Sequence, residues 1–170
     1  MKPPLVVFAG LPGVGKSTLA TRVGTALPAP VLTVDHVDRV LAAYGVSEPR
    51  PGFTAYGVVA RVAEAQLALG LPVVVDAVNP VASARGIWRD LADRAGAPLR
   101  VVEVWMSDLV EHRRRVEARF DADPAGGWPT WEQVERRRKE YEPYIGRRVV
   151  VDTSVSGDKL PGILSWVTTA

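Results

Sequence analysis

Residues 8–20 combine the residue types that bind and transfer phosphate groups. The segment includes, in order, Gly10, Leu11, Pro12, Gly13, Val14, Gly15, Lys16, Ser17 and Thr18. Its residues 10–17 match the pattern G-x-x-x-x-G-K-[ST] at every fixed position, between an apolar run and a segment with helical spacing. In such a loop, successive N–H groups converge on phosphate oxygens and the next helix points its positive end there. The motif predicts a phosphate site, and an ordinary glycine-rich turn is the alternative.

Two side chains of this loop have separate predicted roles. The Lys16 ammonium would reach the β- and γ-phosphates of ATP, and the Ser17 hydroxyl would bind Mg²⁺. The chain lacks the Asn-Lys-x-Asp motif with which GTPases read their base, and no apolar run ends in the Asp-Glu pair of ATPase motors. The sequence therefore favours neither a GTPase nor an ATPase motor. The preference for ATP over GTP stays open.

Two aspartates stand where predicted strands end. Asp76 ends the run in "VVVDAVN", and Asp35 follows "VLTV". Ligands of open α/β sheets bind at the carboxyl ends of strands, so we predict that Asp76 anchors Mg²⁺ and that Asp35 accepts the proton of an attacking hydroxyl. Two structural alternatives stay open. Asp76 could cap the turn before Pro80, and Asp35 could be the N-cap of a helix that begins near His36.

Arginines are concentrated in two predicted helical arms on either side of the stretch 121–129. Arg115 and Arg119 are four residues apart and share one helix face, so we predict that they contact phosphates as a lid of about residues 108–143 closes. Simple surface charge is the alternative. The run Arg136–Arg138 alternates with acidic residues, which indicates a solvated, salt-bridged face. The same acids interrupt any RNA-binding stripe, so a nucleic-acid partner is not expected.

The acceptor pocket is predicted to involve the segment between the second and third strands. The side chains available to line it are Tyr44, Arg50, Phe53 and Tyr56. Aromatic walls with a few polar groups are usual for small ligands, although Phe53 and Tyr56 are equally consistent with core packing. Asp38 and Arg39 follow Asp35 within one helical turn and are either substrate contacts or solvated surface.

Two tryptophans lie in the predicted lid on either side of Pro129. Trp128 and Trp131 either clamp an aromatic acceptor or anchor a loop by burial. Both alternatives use the same large apolar surface. The sequence does not decide between them.

Short Val/Leu-rich runs alternate with longer segments of helical spacing, and these elements must position the residues above. The predicted strands are Leu5–Ala9, Val31–Val34, Pro72–Val75, Leu99–Trp105 and Arg148–Val151. The predicted helices include Ser17–Leu27, Thr54–Leu69, Val81–Ala95 and Asp108–Phe120. Continuous apolar strands that alternate with helices indicate a parallel sheet covered on both faces. We therefore predict a single three-layer α/β domain over residues 1–170.

Composition excludes several other classes of protein. A chain of 170 residues with 47% hydrophobic and 24% charged residues suits one globular domain. Its net charge is +2, and its basic residues are spread along the chain between acidic ones, which does not indicate a nucleic-acid partner. The chain has no cysteine and only two histidines, which excludes disulfides and disfavours a zinc site. The N-terminal apolar run is too short for a signal peptide or a membrane span, so we expect a cytoplasmic protein without a membrane partner.

The motifs together resemble those of small bacterial P-loop kinases, often described as AAA-family ATPases or predicted kinases. This group includes gluconate kinase, shikimate kinase, chloramphenicol phosphotransferase, the zeta toxins and the kinase half of polynucleotide kinase. The resemblance extends over nearly the whole chain, through "AGLPGVGKSTLA", "VDHVDRVL", "VVVDAVNPVASAR", "RRRVEARF" and "RRVVVDTSVSGD". It implies a P-loop NTPase fold with a five-stranded parallel sheet in the order 2-3-1-4-5, ATP with Mg²⁺, and a helical lid over the phosphates.

The resemblance also implies roles for particular residues. Asp35 falls where several relatives have an acceptor-binding aspartate, and Arg85 falls where many have an arginine after the third strand, as a possible substrate contact. The loop Asp152–Asp158 is implied to lie beside adenine. This chain departs from many relatives at Asp38, where they have an arginine, so the resemblance does not imply the charge of the acceptor.

These observations predict an ATP-dependent phosphotransferase that moves the γ-phosphate to a hydroxyl of a small-molecule acceptor. One alternative is a kinase of nucleic-acid or nucleotide ends, which needs a basic channel leading to Asp35. The other is a nucleotide-gated binding module without transfer chemistry. The sequence leaves the identity of the acceptor and the oligomeric state open.

Overall fold

Residues 2–46 and 53–169 are described by a computed structural model, and within them five strands alternate with seven helices. The strands are β1 (Leu5–Ala9), β2 (Val31–Thr33), β3 (Val73–Asp76), β4 (Leu99–Trp105) and β5 (Val149–Asp152). The helices are α1 (Lys16–Ala26), α2 (Val34–Ala43), α3 (Phe53–Ala68), α4 (Ala82–Ala95), α5 (Leu109–Ala122), α6 (Trp131–Glu140) and α7 (Leu160–Thr168). Arg50, one of the predicted pocket residues, lies outside the described residues.

Strand β1 lies at the centre of the sheet, whose order is β2-β3-β1-β4-β5. Leu5 pairs with Val73 of β3 on one side and with Leu99 of β4 on the other, and all strand pairs are parallel. The predicted α/β class, the parallel sheet and its strand order are confirmed. The periodic apolar runs also located the strands correctly, since each observed strand boundary falls within one residue of its predicted position.

Helices cover both faces of the sheet, which explains the continuous apolar strands. Leu5 and Val7 belong to the core that α3 and α4 complete on one face, whereas Val6 and Phe8 belong to the core that α1 and α7 complete on the other. All four side chains are fully buried. Each such burial contributes about 1.5–3 kcal/mol to folding, so β1 is fixed in place by both layers.

The carboxyl ends of β1, β2 and β3 lie at one edge of the sheet, and the segments that follow them build the candidate site. β1 leads through a glycine loop into α1, β2 passes directly into α2, and β3 ends at Asp76. Because neighbouring parallel strands run in the same direction, these three exits lie side by side. Residues far apart in the sequence therefore reach a common space.

Helix α2 begins earlier than the sequence indicated. Thr33 is its N-cap with extended backbone, Val34 is its first residue, and Asp35 lies in its first turn. The interpretation of Asp35 as the N-cap is therefore wrong, because β2 ends at Thr33 and the helix starts without a linker. In the first turn, the Asp35 carboxylate still interacts favourably with the positive end of the helix.

Helices α5 and α6 form the two arms of the arginine-rich segment, and each begins at a well-defined cap. Asp108 accepts a hydrogen bond from the Glu111 N–H at 3.0 Å at the start of α5, and Thr130 and Gln133 form a capping box at the start of α6. Such caps contribute about 1 kcal/mol each and fix where a helix begins. The turn between them carries Trp128. The closure of this segment as a lid stays a prediction.

Candidate functional site

The glycine loop (residues 10–15) follows a path that side chains would block. Gly10, Gly13 and Gly15 have φ angles of 141°, 84° and 94°, in the region that favours glycine. A Cβ on Gly10 would come within 2.2 Å of the Val104 carbonyl oxygen, and one on Gly13 within 2.6 Å of Val116 Cγ2. Backbone conformation and lack of space therefore both require glycine at these two positions.

Neighbouring segments hold this loop in place through hydrogen bonds. The Gly10 N–H donates to the Val78 carbonyl oxygen at 3.1 Å. The Thr153 hydroxyl donates to the Val14 carbonyl oxygen at 2.8 Å, so the segment after β5 contacts the loop directly. The predicted contact of that segment with adenine stays a prediction. With its carbonyl groups bonded to the protein, the loop is organised in advance of any ligand.

Lys16 begins α1 and folds back over the loop. Its side chain is buried, with 6% of its surface exposed, and the Nζ ammonium donates to the Leu11 carbonyl oxygen at 3.2 Å. The first turn of α1 contains no acidic residue, so no side chain of that turn compensates the positive end of the helix. The loop, the ammonium and the helix end together make a region suited to anions.

A cavity of 360 Å³, which we call the Lys16 cavity, opens beside the glycine loop. It is lined by residues from five separate parts of the chain. Those with predicted chemistry are Lys16, Ser17, Asp35, Asp76, Arg115 and Arg119. The fold therefore brings together all the residues for which the sequence predicted catalysis or Mg²⁺ binding.

The carboxylates of the two aspartates of the Lys16 cavity have no ion pair to another described residue. Asp76 is buried, with 3% of its surface exposed, and neither its carboxylate nor that of Asp35 has a hydrogen bond to another described residue. Arg119 faces both carboxylates. Burial lowers the pKa of its guanidinium and the nearby Arg39 lowers it further, whereas Asp35 and Asp76 oppose this shift. The cavity therefore holds both signs of charge close together.

Arg115 and Arg119 both line the Lys16 cavity, as their shared helix face predicted, but they are held differently. Arg115 Nε donates to Glu111 at 2.7 Å within α5. The Arg119 guanidinium lies 3.6 Å from the centre of the Trp128 ring. Cation–π contact fixes the position of an arginine without neutralising its charge. Their contact with phosphate stays a prediction.

Trp128 lies between two arginines from different helices. The guanidinium of Arg39 lies 4.1 Å from its ring centre and Arg119 lies on the ring as well. Arg39 also donates to the Gly126 carbonyl oxygen at 3.2 Å. The ring therefore links α2 to α5 through the turn, a role that neither alternative for this tryptophan had anticipated.

A second cavity, of 390 Å³, adjoins the first on the side of α6. We call it the Arg136 cavity. Its chemistry-bearing wall residues include Asp35, Asp38, Arg39, Gln133, Arg136 and Arg137. Arg136 and Arg137 are exposed, so the predicted solvated face is confirmed for them, but the predicted salt bridges are wrong for these two. Of the three arginines, Arg138 alone has an ion pair to another described residue, Glu135, while Arg136 and Arg137 line the same cavity as Asp35.

Two predicted substrate contacts lie in neither cavity. The Tyr56 hydroxyl accepts a hydrogen bond from the Asn79 N–H at 3.0 Å, and burial raises its pKa. Arg85 is 4% exposed, and its guanidinium donates to four backbone carbonyl oxygens, those of Asn79, Pro80, Glu142 and Pro143. Tyr56 therefore supports the segment after β3, and Arg85 ties that segment to the chain after α6.

The remaining aromatic candidates divide between surface and packing. Tyr44 is 84% exposed and Phe53 is 39% exposed. Trp131 packs edge-on against the ring of His112, with 5.2 Å between their centres. Trp131 is therefore an anchor of α6, in agreement with the burial alternative.

His112 is a site-supporting residue that sequence reasoning missed. It is 1% exposed, its Nε2 lies 2.7 Å from the Pro12 carbonyl oxygen, and an Arg138 N–H group lies 3.0 Å from its Nδ1. Arginine can only donate, so Nδ1 accepts and Nε2–H donates to Pro12. Burial lowers the pKa of this ring. The one available signal was its spacing of four residues from the buried Val116, which puts both on one face of α5.

Comparisons with known proteins identify the same fold over nearly the whole chain. A family profile described as an AAA domain matches residues 5–144. A protein from Chloroflexus aurantiacus with a provisional kinase assignment is 20% identical, with a TM-score of 0.79 over 98% of this chain and 97% of that chain. A gluconokinase from Sinorhizobium meliloti is 21% identical, with a TM-score of 0.63 over 97% of this chain and 89% of that chain.

A third solved structure is the APS kinase of Mycobacterium tuberculosis in complex with AMPPNP and APS. It is 22% identical, with a TM-score of 0.69 over 96% of this chain and 95% of that chain. No curated protein gives a significant sequence match. None of the helices within residues 2–46 and 53–169 has the length and hydrophobicity that crossing a bilayer requires.

Proposed function

The chain belongs to the AAA domain family of P-loop proteins, and we propose that it is an ATP-dependent kinase acting on a hydroxyl of a small molecule. The observation that carries this proposal is the Lys16 cavity, where a lysine, two arginines, a serine and two carboxylates from four parts of the chain line one space. The adjoining Arg136 cavity offers room for an acceptor beside Asp35. A kinase needs both spaces, because it binds two substrates at once.

In this proposal, the triphosphate of ATP lies along the N–H groups of the glycine loop. The Lys16 ammonium donates to the Leu11 carbonyl oxygen. A phosphate oxygen is a charged and therefore stronger acceptor for the same ammonium group. Lys16 thus binds the β- and γ-phosphates and stabilises the charge that develops on them during transfer.

The oxygens of Ser17 and Asp76 fit Mg²⁺, which prefers hard oxygen ligands. Both residues line the Lys16 cavity, and the buried Asp76 carboxylate has no hydrogen bond or ion pair to another described residue. An ionised carboxylate is costly to bury without a partner, and a cation at this position would remove that cost. We propose that Ser17 and Asp76 hold Mg²⁺, which when bound neutralises charge on the phosphate oxygens.

Asp35 lines both cavities and is the proposed general base. Its carboxylate accepts the proton of the acceptor hydroxyl, and that oxygen forms a bond to the γ-phosphorus. The bond between the γ-phosphorus and the bridging oxygen breaks, and ADP leaves with its electron pair. Because this carboxylate has no other partner among the described residues, it is available for the proton.

Arg115 and Arg119 approach the same space from α5. We propose that both stabilise the transferred phosphoryl group, as arginines do in other phosphoryl-transfer sites. Trp128 holds Arg119 by contact with its ring and leaves its N–H groups available to phosphate oxygens. The segment of α5, α6 and the turn between them would then exclude water as it closes.

The names of two similar proteins support this division into two cavities. One is a gluconokinase, and the other is an APS kinase in complex with AMPPNP and APS. By analogy, we propose that this chain binds ATP in the Lys16 cavity and a small acceptor in the Arg136 cavity.

Phosphate transfer from γ-labelled ATP to a pool of metabolites, with Mg²⁺ present, tests the proposal. The wild-type protein is expected to label at least one product. Asp35→Asn keeps the size and polarity of the side chain but removes the base, so labelling should fall by about 10²–10⁴-fold while ATP affinity stays within about twofold. Asp90→Asn is the matched control, because Asp90 is exposed on α4 and lies in neither cavity.

The same experiment separates the alternatives. Labelling of oligonucleotide or nucleotide ends with strong salt dependence would support the nucleic-acid kinase instead. Unchanged labelling in Asp35→Asn would contradict the role of Asp35. ATP binding without any labelled product would favour a nucleotide-gated binding module.

A further inference from the structure

The His112 ring lies where α5, α6 and the glycine loop meet. Its Nε2 is 2.7 Å from the Pro12 carbonyl oxygen, and an Arg138 N–H group is 3.0 Å from its Nδ1. The ring is 1% exposed and packs edge-on against Trp131 of α6. A Cβ on Gly13 would come within 3.3 Å of the ring, so α5 packs directly on the loop at this point. One imidazole therefore joins both helices of the predicted lid to the loop.

The two nitrogens of this ring would respond differently to a proton. In the neutral ring, Nε2–H donates to the Pro12 carbonyl oxygen and Nδ1 accepts from Arg138, because a guanidinium group can only donate. Protonation adds a hydrogen to Nδ1 and leaves Nε2–H unchanged. Nδ1–H would then face an N–H group of Arg138, and two positive charges would lie side by side. Protonation is therefore compatible with the contact to the loop and incompatible with the contact to α6.

The surroundings of the ring favour its neutral form. Burial has the largest effect on the pKa of His112 and lowers it, and the Pro12 carbonyl opposes this shift. From α6, Arg138 lowers the pKa and Glu135 raises it, and Lys16 at the start of α1 lowers it. Because the pKa is lowered from 6.5, the ring is neutral at pH 7 and takes up a proton on acidification.

The two helices that meet at the ring contribute different walls of the candidate site. On α5, His112 shares a face with Arg115 and Arg119, which line the Lys16 cavity. Helix α6 contributes Arg136 and Arg137 to the wall of the Arg136 cavity. Release of α6 from the ring would therefore move a wall of the second cavity, whereas the contact between α5 and the loop would remain.

We propose that His112 is a positioning residue that acts as a proton-operated switch. The neutral ring holds α6 against the glycine loop. Protonation at Nδ1 releases α6 and stops phosphate transfer, while ATP still binds to the loop. The effect on transfer rests on the proposed function, whereas the release of α6 does not.

Hydrogen–deuterium exchange tests the release of α6 without nucleotide or acceptor. The full chain is measured from about pH 7.5 to about pH 4.5, with correction for the intrinsic pH dependence of exchange. On acidification, the amides of Trp131–Glu140 are expected to lose about tenfold or more of their protection relative to those of Ala82–Ala95 in α4. NMR of the imidazole resonances locates the protonation of His112, because the chain has two histidines and His36→Gln leaves a single one.

Three variants assign the release to the contact between Nδ1 and Arg138. His112→Gln keeps a donor and an acceptor but takes up no proton, so α6 should stay protected on acidification. Arg138→Met keeps a long side chain but removes the facing guanidinium. The pKa of His112 should then rise, and its protonation should no longer release α6. Lys139→Met is the matched control, because Lys139 is an exposed cation of α6 outside both cavities, and it should behave as the wild type.

A parallel assay with γ-labelled ATP measures the effect on transfer. As His112 becomes protonated, kcat of the wild type is expected to fall by about tenfold or more, while the Kd for ATP with Mg²⁺ stays within about twofold. Comparison with His112→Gln at each pH cancels the titration of the nucleotide and of other groups. A purely structural role of His112 would not separate kcat from ATP affinity in this way.

Three results would overturn the switch. These are equal loss of protection in α4 and α6, acid release of α6 in His112→Gln, and absence of His112 protonation at every pH at which the protein stays folded. Release of α6 on protonation without any labelled product would contradict the kinase assignment and leave the switch standing. A labelled product with the same pH profile in wild type and His112→Gln would contradict control of transfer by His112 and leave the kinase assignment standing.

Discussion

The Lys16 cavity and the Arg136 cavity adjoin each other but are built in different ways. The wall of the first comes from a glycine loop with a fixed backbone path, a buried lysine and a buried aspartate at the end of a central strand. The wall of the second comes from α2, a turn and the polar face of α6, where Arg136 and Arg137 are exposed. The floor of the first cavity is therefore part of the core, whereas the wall of the second lies on exposed helix faces.

Under the proposed function, this difference assigns phosphate binding to the first cavity and acceptor selectivity to the second. The proposed phosphate site uses backbone N–H groups whose positions a Cβ at Gly10 or Gly13 would disrupt, so little variation is possible there. Side chains on the open face of α6 can change without loss of core packing. We infer that ATP binding depends on the Lys16 cavity, and that the choice of acceptor depends on the Arg136 cavity.

The largest effect is expected when the two side chains proposed to bind the phosphates and Mg²⁺ are removed. The double change Lys16→Ala and Ser17→Ala is expected to weaken ATP binding in the presence of Mg²⁺ by about 100-fold or more, because a charged contact and a metal ligand are both lost. Isothermal titration with ATP measures the effect. Unchanged ATP affinity would contradict the assignment of the glycine loop.

Trp128 lies between the two cavities, and its replacement should affect both moderately. Trp128→Leu keeps an apolar side chain but removes the ring that holds Arg39 and Arg119. Each cation–π contact contributes about 0.5–2 kcal/mol, so we expect a loss of about tenfold in kcat/KM for whichever acceptor is labelled. Trp166→Leu is the comparison variant, because Trp166 contacts Arg100 and Arg147 away from both cavities. Equal losses in both variants would indicate a general packing effect.

The smallest expected effect concerns His112, which joins the glycine loop to α6. Its pKa is lowered from 6.5, mainly by burial, with Arg138 and Lys16 also lowering it and the Pro12 carbonyl and Glu135 opposing them. Between 6.5 and this lower pKa, the unfolded chain binds a proton that the folded protein does not, so stability rises with pH and falls on acidification.

His112→Gln sharpens this test because it removes the titration and retains a donor and an acceptor. Chemical unfolding at about pH 7.5 and about pH 5.5 should show a smaller loss of stability on acidification in the variant than in the wild type. His36→Gln is the matched control, because His36 is not buried. An identical pH dependence in wild type and His112→Gln would show that folding does not change the pKa of His112, which would contradict the prediction.

Strands β1 and β3 were predictable because every residue in them is buried, whereas β2 and β5 are only partly buried. Apolar runs such as Leu5–Ala9, alternating with helical segments, indicate a parallel sheet covered on both faces. Helix α2 was placed less well, because its start depends on where the short strand β2 ends. That position is set by pairing with β3, which is not a local property of the sequence.

The candidate site was predictable where residues are adjacent in sequence or lie at the carboxyl end of a strand. Lys16, Ser17, Asp35 and Asp76 fall in one cavity for this reason. The interpretation of Arg85 rested on the family resemblance, and that of Tyr56 on its aromatic side chain in the segment before the third strand. Their hydrogen bonds to distant backbone groups are not visible in the sequence. His112 was missed for the same reason, since its partner Pro12 is 100 residues away.

By itself, the sequence determined the phosphate loop and the layered parallel sheet, because backbone conformation and burial are encoded in short stretches of residue types. Only the tertiary structure decided which arginines are neutralised and which face Asp35. Arg136 and Arg138 belong to the same charge-alternating run of the sequence. Arg138 contacts His112 and Glu135, whereas Arg136 lines a cavity. Their difference depends on how α6 is rotated against the core, and that rotation is set by the burial of Val134 and Trp131 against distant elements.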